Sequence, residues 1–363
     1  MTQVVRVPLK ERSYGILIGH GLIGKAGAII RNTAAGKDAV VITNKSIARL
    51  FGKKIKASLN RAGITFKLEL VPDSEKAKSS DVLIPLLNRI GAYDKNRELF
   101  LIGLGGGVIG DLTGFAASIY KRGIPYIHIP TTLLAQVDSA IGGKTAIDLP
   151  IAKNLVGSFY QPKAVISDTS SLSSLSPRQI RSGLAECIKY AVIGDRKLFE
   201  YLEHNCKKAL AHDAKVLGYI ILSCARIKAG IVSKDEFDRK EKRIVLNLGH
   251  TIGHAIESAS GYAKRYSHGE SIAIGMACAA CISSRMGLIR EGDRQRIIAL
   301  IKKCGLPTRL TGVKISRIYD SLLHDKKSIH GTNRFVIPTG IGKVRIVYGV
   351  GKALIIKSIK DCI

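Results

Sequence analysis

Short apolar runs rich in β-branched residues alternate with longer segments of helical periodicity through the first half of the sequence. Apolar runs over residues 39–43 and 66–71 predict strands, and the amphipathic segment 47–62 between them predicts a helix. A helix predicted over 79–90 and a fully apolar strand over 99–104 repeat this order. Since strands that alternate with helices form parallel sheets, this half predicts a parallel α/β sheet.

The pattern changes after Asp168, where helical periodicity becomes dominant. The segment 173–177 is typical of a helix start, and apolar residues recur at helical spacing through Arg285. Two short strand-like runs, 335–338 and 344–348, follow. We therefore predict an α/β N-terminal domain with a parallel Rossmann-like sheet over residues 1–167 and a mostly α-helical C-terminal domain over residues 168–363.

Hydropathy favours a cytoplasmic protein without a membrane association. The longest apolar run, residues 272–282, is shorter than the roughly 18 residues needed to cross a bilayer, and it predicts a buried helix instead. Residues 1–8 interleave charge and lack a continuous apolar stretch, so we expect no secretory signal. The seven cysteines are an odd number in a long chain, which favours reduced thiols, and the solitary pair Cys278-Ala-Ala-Cys281 favours core packing.

The charge balance is strongly basic. The sequence contains 57 Lys and Arg residues against 28 Asp and Glu residues, which gives a net charge of +29. Its length of 363 residues is enough for about two domains. Such a field attracts polyanions, but the basic residues are scattered in pairs without a basic tail or interleaved aromatic residues. We therefore expect no specific nucleic-acid partner, whereas a small phosphorylated substrate benefits from this charge.

A glycine-rich turn follows the predicted strand at 99–104. Gly105, Gly107 and Gly110 stand in G-x-G-x-x-G register, which is typical of a pyrophosphate site at a helix N-terminus. The acidic residue expected roughly twenty positions later is missing, because no Asp or Glu lies between Asp111 and Asp138. An ordinary Rossmann site does not fit, and a tight turn without a ligand remains an alternative.

Two histidines are spaced to share one helix face. His250 and His254 can converge on one metal ion, and a glutamate from elsewhere can complete an open zinc site. Glu186 is the candidate, one helical turn from Lys189 in an otherwise apolar segment. A buried Glu–Lys pair with a purely structural role is the alternative.

The segment 130–148 and the pair 153–154 combine hydroxyls, glycines, acids and cations. These residue types suit a polar phosphorylated substrate better than a hydrophobic core. A solvated loop is the alternative interpretation.

Taken together, these motifs resemble the 3-dehydroquinate synthase family over nearly the whole sequence. The resemblance implies a dehydroquinate synthase-like fold. The matching stretches are residues 43–44, 72–75 with Lys78, 105–111, 122–123, 130–148, 153–154, 183–189, 243–257, 268–270 and 325–327.

The resemblance implies two cofactors, NAD and Zn²⁺, with Co²⁺ as an alternative metal. The implied metal ligands are Glu186, His250 and His268, which leaves His254 as a proton-transfer or phosphate-contacting residue on the substrate side. Glu75 is implied to replace the missing downstream acid as the ribose partner. The residues implied to hold NAD are Asn44, Glu75, Lys78, Gly106, Gly107, Asp111, Thr131, Thr132 and Leu134, with Gln179 nearby.

The resemblance also implies a phosphorylated sugar-acid substrate and a homodimer in which Arg122 reaches the neighbouring subunit's site. Of Lys326 and Lys327, Lys327 is the preferred contact. The implied substrate-binding residues are Arg122, Asp138, Lys144, Asn154, Lys189, Arg243, Asn247, His254, His268 and Lys327. The implied catalytic residues are Lys144, Asn154, Lys189, Arg243, Asn247 and His254.

The implied activity is that of a carbon–oxygen lyase that converts 3-deoxy-D-arabino-heptulosonate 7-phosphate to 3-dehydroquinate and phosphate. Transient NAD oxidation, phosphate elimination, re-reduction and an intramolecular aldol closure make up the implied reaction. Another sugar-phosphate cyclase is the main alternative, ahead of a polyol dehydrogenase of the same fold or a nucleic-acid-binding protein. Two departures from the family pattern are Ser74 in place of a glycine and an extra residue within 238–243, which leaves the role of Lys228 open.

Overall fold

The computed structural model describes residues 2–33, 35–94, 98–261, 265–323 and 332–362. The chain divides into two compact units. The first unit comprises Met1–Leu175 and Lys228–Phe237, and the second comprises Ser176–Ile227 and Asp238–Ile363.

The first unit is built on a seven-stranded sheet. The strands of this unit are β1 (Gln3–Val7), β2 (Tyr14–Gly19), β3 (Asp38–Asn44), β4 (Thr65–Val71), β5 (Leu99–Gly105), β6 (Tyr126–Pro130), β7 (Lys144–Leu149), β8 (Ala152–Phe159) and β9 (Ala164–Asp168). The strand order in the sheet is β1-β2-β9-β6-β5-β3-β4, and every neighbouring pair is parallel except β1 with β2. Strands β7 and β8 form a separate antiparallel hairpin.

Helices cover both faces of this sheet. Helices α1 (Ala26–Arg31) and α2 (Lys45–Arg61) pack on one face, while α3 (Ser80–Tyr93) and α4 (Gly107–Ile119) pack on the other. All seven residues of β5 are buried, since a central parallel strand is covered from both sides. The predicted strand–helix order and parallel sheet are therefore confirmed.

The second unit is mostly helical, as predicted. Its central helix is α9, which packs against α5, α8, α10, α12 and the hairpin strand β10. The helices are α5 (Pro177–Gly194), α6 (Arg196–Leu210), α7 (Ala214–Val232), α8 (His250–Ala259), α9 (His268–Arg285), α10 (Glu291–Lys303), α11 (Ile315–Leu323) and α12 (Lys352–Lys360), and the hairpin pairs β10 (Arg334–Gly340) with β11 (Lys343–Tyr348).

The observed division differs from the predicted boundary after residue 167. The 3₁₀ segment Thr169–Ser174 stays with the sheet because the Asp168 carboxylate accepts hydrogen bonds from the N–H groups of Gly21 and Ile23, at 2.8 and 2.9 Å. The segment Lys228–Phe237 also belongs to the first unit. Sequence periodicity carries no information about such contacts between distant segments.

The apolar run at 272–282 lies within α9, where residues 271–283 are all buried. No helix in the described part of the chain is long and apolar enough to cross a membrane. All seven cysteines are buried free thiols, and Cys278 and Cys281 pack inside the unit as expected from their apolar neighbours.

Candidate functional site

Helix α5 carries a buried ion pair at its centre. The helix begins with a capping box in which Ser176 and Gln179 exchange hydrogen bonds, with Pro177 in its first turn. Two turns further on, the side chains of Glu186 and Lys189 form an ion pair and are 0% and 1% exposed. A fully buried carboxylate requires compensating partners, which makes this pair the starting point of the site.

Glycines bring helix α8 close to helix α9. Gly249, with φ of +78°, precedes α8, and a Cβ atom there would lie 2.7 Å from Met276 Cγ. A Cβ atom on Gly275 would lie only 2.0 Å from the Gly249 carbonyl oxygen. Side chains at these positions would separate the two helices, so the glycines place His250, the first residue of α8, close to the start of α9.

The start of α9 is fixed against α5. Ser267 and Glu270 form a second capping box, and Arg178 on α5 donates to both carboxylate oxygens of Glu270, with the shortest contact at 2.7 Å. A Cβ atom on Gly269 would lie 2.4 Å from the backbone of Ser182. His268, the first residue of α9, is thereby held beside α5.

These three helices bring one carboxylate and two imidazoles together. Glu186 Oε1 lies 3.3 Å from His268 Nε2 and 3.6 Å from His250 Nε2. The ligand atoms of the three residues all lie within 4.8 Å of one another. A glutamate and two histidines at such distances are a donor set suited to a catalytic divalent metal with an open position.

The second ring nitrogens of both histidines also have partners. His250 Nδ1 lies 3.1 Å from the Leu248 carbonyl oxygen, and His268 Nδ1 lies 3.4 Å from Glu257 Oε2. Burial lowers the pKa of His268, but hydrogen bonds to Glu186 and Glu257 outweigh it and raise the pKa to about 10. Such outer contacts orient histidine ligands in metal sites.

His254 lies beside this group. Its Nε2 is 4.0 Å from Glu257 Oε2, and its side chain is 42% exposed. His254, Glu257 and His268 form a second group of potential ligands, so the pairing of His250 with His254 expected from helical spacing is not the arrangement around Glu186. The more exposed position suits contact with a substrate.

Two other predicted substrate residues precede α8. Arg243, which is buried, and the half-buried Asn247 lie in a 3₁₀ helix over Lys242–Asn247. In the segment before it, which carries the extra residue, Asp238 and Glu241 adopt positive φ values of 55° and 58°. Lys326 and Lys327 lie outside the described residues.

In the first unit, the predicted glycine turn connects β5 to α4. Gly106 is the N-cap of α4, and a Cβ atom on Gly107 would lie 2.9 Å from Ser139 Oγ. A Cβ atom on Gly110 would lie 2.0 Å from the ring of His128, whose pKa burial lowers to about 4. The backbone is therefore closely packed here, and side chains at Gly107 and Gly110 would collide with Ser139 and His128.

A buried lysine contacts helix α4, which follows the same turn. Lys78 donates to Asp111 at 2.7 Å and also to Asn154, and its side chain is 4% exposed. Burial raises the pKa of Asp111 to about 6, although the adjacent ammonium group opposes the shift. The structure therefore brings together Lys78 and Asp111, both expected at the cofactor, and Asn154, expected at the substrate.

The remaining residues expected at NAD have differing environments. Asn44 caps α2, and its side-chain amide donates a hydrogen bond to Asp73 Oδ1 at 2.6 Å. The side chain of Glu75 is exposed, and its Oε1 atom lies 3.6 Å from Lys153 Nζ. Thr132 lies near the glycine turn, since a Cβ atom on Gly106 would be 3.1 Å from its methyl group. Thr131 is buried, and Leu134 directly precedes a π-helix, whereas Gln179 belongs to the second unit, in the capping box of α5.

The other predicted substrate residues of the first unit lie in or beside the loops. Asp138, in the π-helix over Ala135–Ser139, accepts hydrogen bonds from Lys228, whose ammonium group also reaches the Asp138 carbonyl oxygen at 2.8 Å. Lys144 is exposed and lies 5.8 Å from the centre of the Phe159 ring. Arg122 is exposed and has a φ of +63°.

Two family models match consecutive parts of the chain. The model for the 3-dehydroquinate synthase N-terminal domain matches residues 68–182, and the model for the C-terminal domain matches residues 183–328. A curated relative from Thermodesulfovibrio yellowstonii, named 3-dehydroquinate synthase, is 46% identical over 347 residues, which cover 95% of this chain and 96% of the relative. The chain belongs to the 3-dehydroquinate synthase family. The predicted family and enzyme class, a carbon–oxygen lyase acting on phosphates, are thereby confirmed.

Solved structures share the fold of this family member over almost its full length. A 2-deoxy-scyllo-inosose synthase, solved with carbaglucose-6-phosphate, NAD⁺ and Co²⁺, is 28% identical with a TM-score of 0.89, covering 99% of this chain and 100% of that one. A 2-epi-5-epi-valiolone synthase from Streptomyces hygroscopicus, solved with NAD⁺ and Zn²⁺, is 24% identical with a TM-score of 0.89, covering 98% of each chain. The second likeness shows the fold alone.

Sequence reasoning misses three features of this dehydroquinate synthase family member. It gives Glu257 no role, although this residue stands three residues after His254 on the same helix face. It also misses the clamp between Arg178 and Glu270, although Ser267 and Glu270 have the spacing of a capping box. The Lys228 contact to Asp138 has no local signal, because it joins segments far apart in the chain.

Proposed function

We propose that this enzyme converts 3-deoxy-D-arabino-heptulosonate 7-phosphate to 3-dehydroquinate and phosphate, using NAD and a divalent metal. The 46% identity to a relative named 3-dehydroquinate synthase, over nearly the full length of both chains, is the observation that carries the proposal. Zn²⁺ is the preferred metal, because a carboxylate with two imidazoles suits it, and Co²⁺ is the alternative, since a 28% identical synthase has been solved with Co²⁺.

Glu186, His250 and His268 would hold the metal. Their ligand atoms lie within 4.8 Å of one another, and one carboxylate with two imidazoles suits zinc. When bound, the metal supplies Lewis acidity that lowers the pKa of a coordinated hydroxyl and polarises a carbonyl. The hydrogen-bond partners of both outer ring nitrogens keep the imidazoles oriented for this role.

The glycine turn and its neighbours would hold NAD. Gly106 and Gly107 let the backbone at the start of α4 approach Thr132 and Ser139 closely, and the N–H groups and helix dipole at this end favour an anion. When bound, NAD supplies a reversible hydride acceptor, which is restored within each turnover. The proposed contacts of the wider site are Asn44, Glu75, Lys78, Asp111, Thr131, Thr132, Leu134 and Gln179.

The cationic residues would bind and orient the anionic substrate. Lys189 and Arg243 are buried in the second unit, where they provide fixed positive charge for carboxylate or phosphate groups. Phosphate oxygens of the substrate can themselves accept the proton that is removed before elimination, so the chain's contribution is largely positioning. The other proposed contacts are Arg122, Asp138, Lys144, Asn154, Asn247, His254, His268 and Lys327.

His254 would move a proton on the substrate side. Its imidazole is 42% exposed, and it stands beside the proposed metal ligands without being one of the three around Glu186. An imidazole titrates near neutral pH, which suits general acid–base chemistry.

The proposal extends to a cytoplasmic homodimer without a specific nucleic-acid partner. Seven free thiols suit a reducing compartment. Arg122, exposed on a turn with left-handed backbone geometry, is the residue proposed to reach the neighbouring subunit.

The test is incubation of the purified enzyme with the heptulosonate phosphate, catalytic NAD⁺ and Zn²⁺. Phosphate and dehydroquinate should appear together in equal amounts, and NADH should not accumulate. Growth of NADH absorbance in proportion to product would identify a dehydrogenase instead. Failure to release phosphate from this substrate, with release from another sugar phosphate, would identify a different cyclase.

A further inference from the structure

The carboxylate of Glu257 lies directly behind His268. Its Oε2 atom is 3.4 Å from His268 Nδ1, whereas His268 Nε2 is 3.3 Å from Glu186 Oε1 on the other side of the ring. The Glu257 side chain is 14% exposed. The imidazole therefore lies between two carboxylates, one for each ring nitrogen.

This arrangement selects one tautomer of His268. A carboxylate accepts a hydrogen bond from an N–H group, so Glu257 favours the proton on Nδ1. The proton on Nε2, which faces Glu186 Oε1, is the one that a metal ion would displace, and the Nε2 lone pair would then bind the metal. The opposite tautomer would place two acceptors against each other at Nδ1 and an N–H group at the metal position.

Helix geometry makes Glu257 suitable for this task. It lies on α8, seven residues after His250, so that both residues occupy the same face of the helix. Because His268 is the first residue of α9, Glu257 joins the two helices at the point where they supply ligands. His254 Nε2 is 4.0 Å from the same carboxylate oxygen, which is longer than a hydrogen bond.

We propose that Glu257 is a positioning residue, which sets the tautomer and the ring orientation of His268 and thereby raises the affinity of the Glu186–His250–His268 group for a divalent metal. The proposal rests on the metal site of the proposed function. Glu257 does not itself bind the metal or the substrate.

Metal affinity of the apo-protein tests this proposal without an activity assay. Wild-type protein and the Glu257→Ala and Glu257→Gln variants are stripped of metal and titrated with Zn²⁺ against a chromophoric chelator. Their Co²⁺ complexes are then compared by visible absorption. The control is Glu203→Ala on α6, which breaks the ion pair between Glu203 and Arg296, at 2.6 Å, elsewhere in the same unit.

We expect Glu257→Ala to weaken Zn²⁺ binding by about 10- to 100-fold, in line with the loss of an outer partner of a histidine ligand. Glu257→Gln should weaken it less, since its amide oxygen still accepts from Nδ1–H. The Co²⁺ spectrum of Glu257→Ala should shift, because the imidazole orientation relaxes. Glu203→Ala should bind Zn²⁺ as the wild-type protein does.

The outcomes separate this proposal from the metal site on which it rests. Folded Glu257→Ala protein with wild-type Zn²⁺ affinity and an unchanged Co²⁺ spectrum would overturn the positioning role. Equal losses in Glu257→Ala and Glu203→Ala would also overturn it, since they would indicate general destabilisation. Wild-type protein that binds no Zn²⁺ in a one-to-one ratio would instead overturn the metal site itself.

Discussion

In the first unit a buried lysine, Lys78, is surrounded by carboxylate and amide oxygens, whereas in the second unit a buried carboxylate, Glu186, is surrounded by a lysine and two imidazoles. Both arrangements compensate a charge that has been removed from water. The lysine is a single cation that its protein neighbours satisfy. In the second unit, by contrast, the ligand atoms of Glu186, His250 and His268 lie within 4.8 Å of one another, which is a donor set that could hold a metal ion.

The two regions also differ in how the backbone builds them. In the first unit, consecutive residues of one glycine turn follow a single buried strand, and Lys78 joins Asp111 on the helix after this turn to Asn154 on β8. Around Glu186, each ligand comes from a different helix, and close glycine contacts between α8 and α9 bring the ligands together. Local backbone geometry forms the glycine turn of the first region, whereas contacts between distant segments form the surroundings of both Lys78 and Glu186.

The largest expected effect is the loss of bound metal and turnover when a proposed metal ligand is replaced. It distinguishes these ligands from the neighbouring His254. Replacing Glu186, His250 or His268 by alanine should remove stoichiometric metal and reduce turnover to background, since three protein ligands leave no redundancy. His254→Ala should keep one metal per chain and lose about 10²-fold in turnover, as expected for a proton-transfer group. Metal analysis of the folded variants beside their kinetics provides the measurement. A His254→Ala protein without metal would contradict the ligand assignment.

The next effect concerns the buried lysine of the first unit. Lys78→Met should lower the free energy of unfolding by about 3 kcal/mol, because Asp111 and Asn154 lose their common partner inside the protein. Urea denaturation monitors the change. Lys153→Met is the matched control, because its ion pair with Glu75 is exposed and should contribute less than about 1 kcal/mol. Equal effects of the two substitutions would show that burial of Lys78 does not matter.

A pH effect is expected from His128. Its pKa is lowered from 6.5 to about 4 by burial, so the unfolded chain takes up a proton at higher pH than the folded protein does. Stability contributed by this residue is therefore lost as pH falls from 6.5 to 4, by about 3 kcal/mol in total. Unfolding free energies of wild-type and His128→Gln protein at pH 7 and pH 4.5 give the comparison. A variant that loses as much stability as the wild type over this interval would contradict the assignment.

The smallest effect tests the packing of the glycine turn. Gly110→Ala should destabilise the protein by about 1–3 kcal/mol, because the new methyl group meets the buried His128 ring. Gly52→Ala, in helix α2, should stabilise by about 0.5–1 kcal/mol, because a Cβ atom there would have no heavy atom of another residue within 4 Å beyond its own helix. Thermal or urea unfolding distinguishes the two. A destabilised Gly52→Ala protein together with an unaffected Gly110→Ala protein would reverse the expected order.

The sequence by itself determined the elements that are marked by a continuous apolar run, by helical periodicity or by a capping motif. The apolar runs at 39–43 and 99–104 correspond to β3 and β5, and the amphipathic run at 47–62 corresponds to α2. The helix start at 173–177 corresponds to the capping box of α5, because Ser176 and Gln179 act within one turn. Such signals are local, since each residue's neighbours along the chain already define the hydrogen bonds or the buried face.

Local signals are insufficient for the edges and the loops. The hairpin of β7 and β8 lies in a segment whose composition favours a substrate loop, and the strand residues of β8 are largely exposed, so no apolar pattern marks them. The π-helix over Ala135–Ser139 also lacks a recognisable local pattern. The resemblance to a known family supplies candidate residues here, but it does not supply their contacts.

Only the tertiary structure decided which groups meet. Helical spacing alone favours His250 with His254, whereas the family resemblance implies Glu186, His250 and His268. The structure brings the latter three together, because His268 begins a different helix that packs against both α5 and α8. The position of Glu257 behind His268 depends on the same packing. Spacing along one helix defines a shared face, whereas the distance between atoms on different helices depends on how closely their backbones approach, which here is determined by glycines in contact across the core.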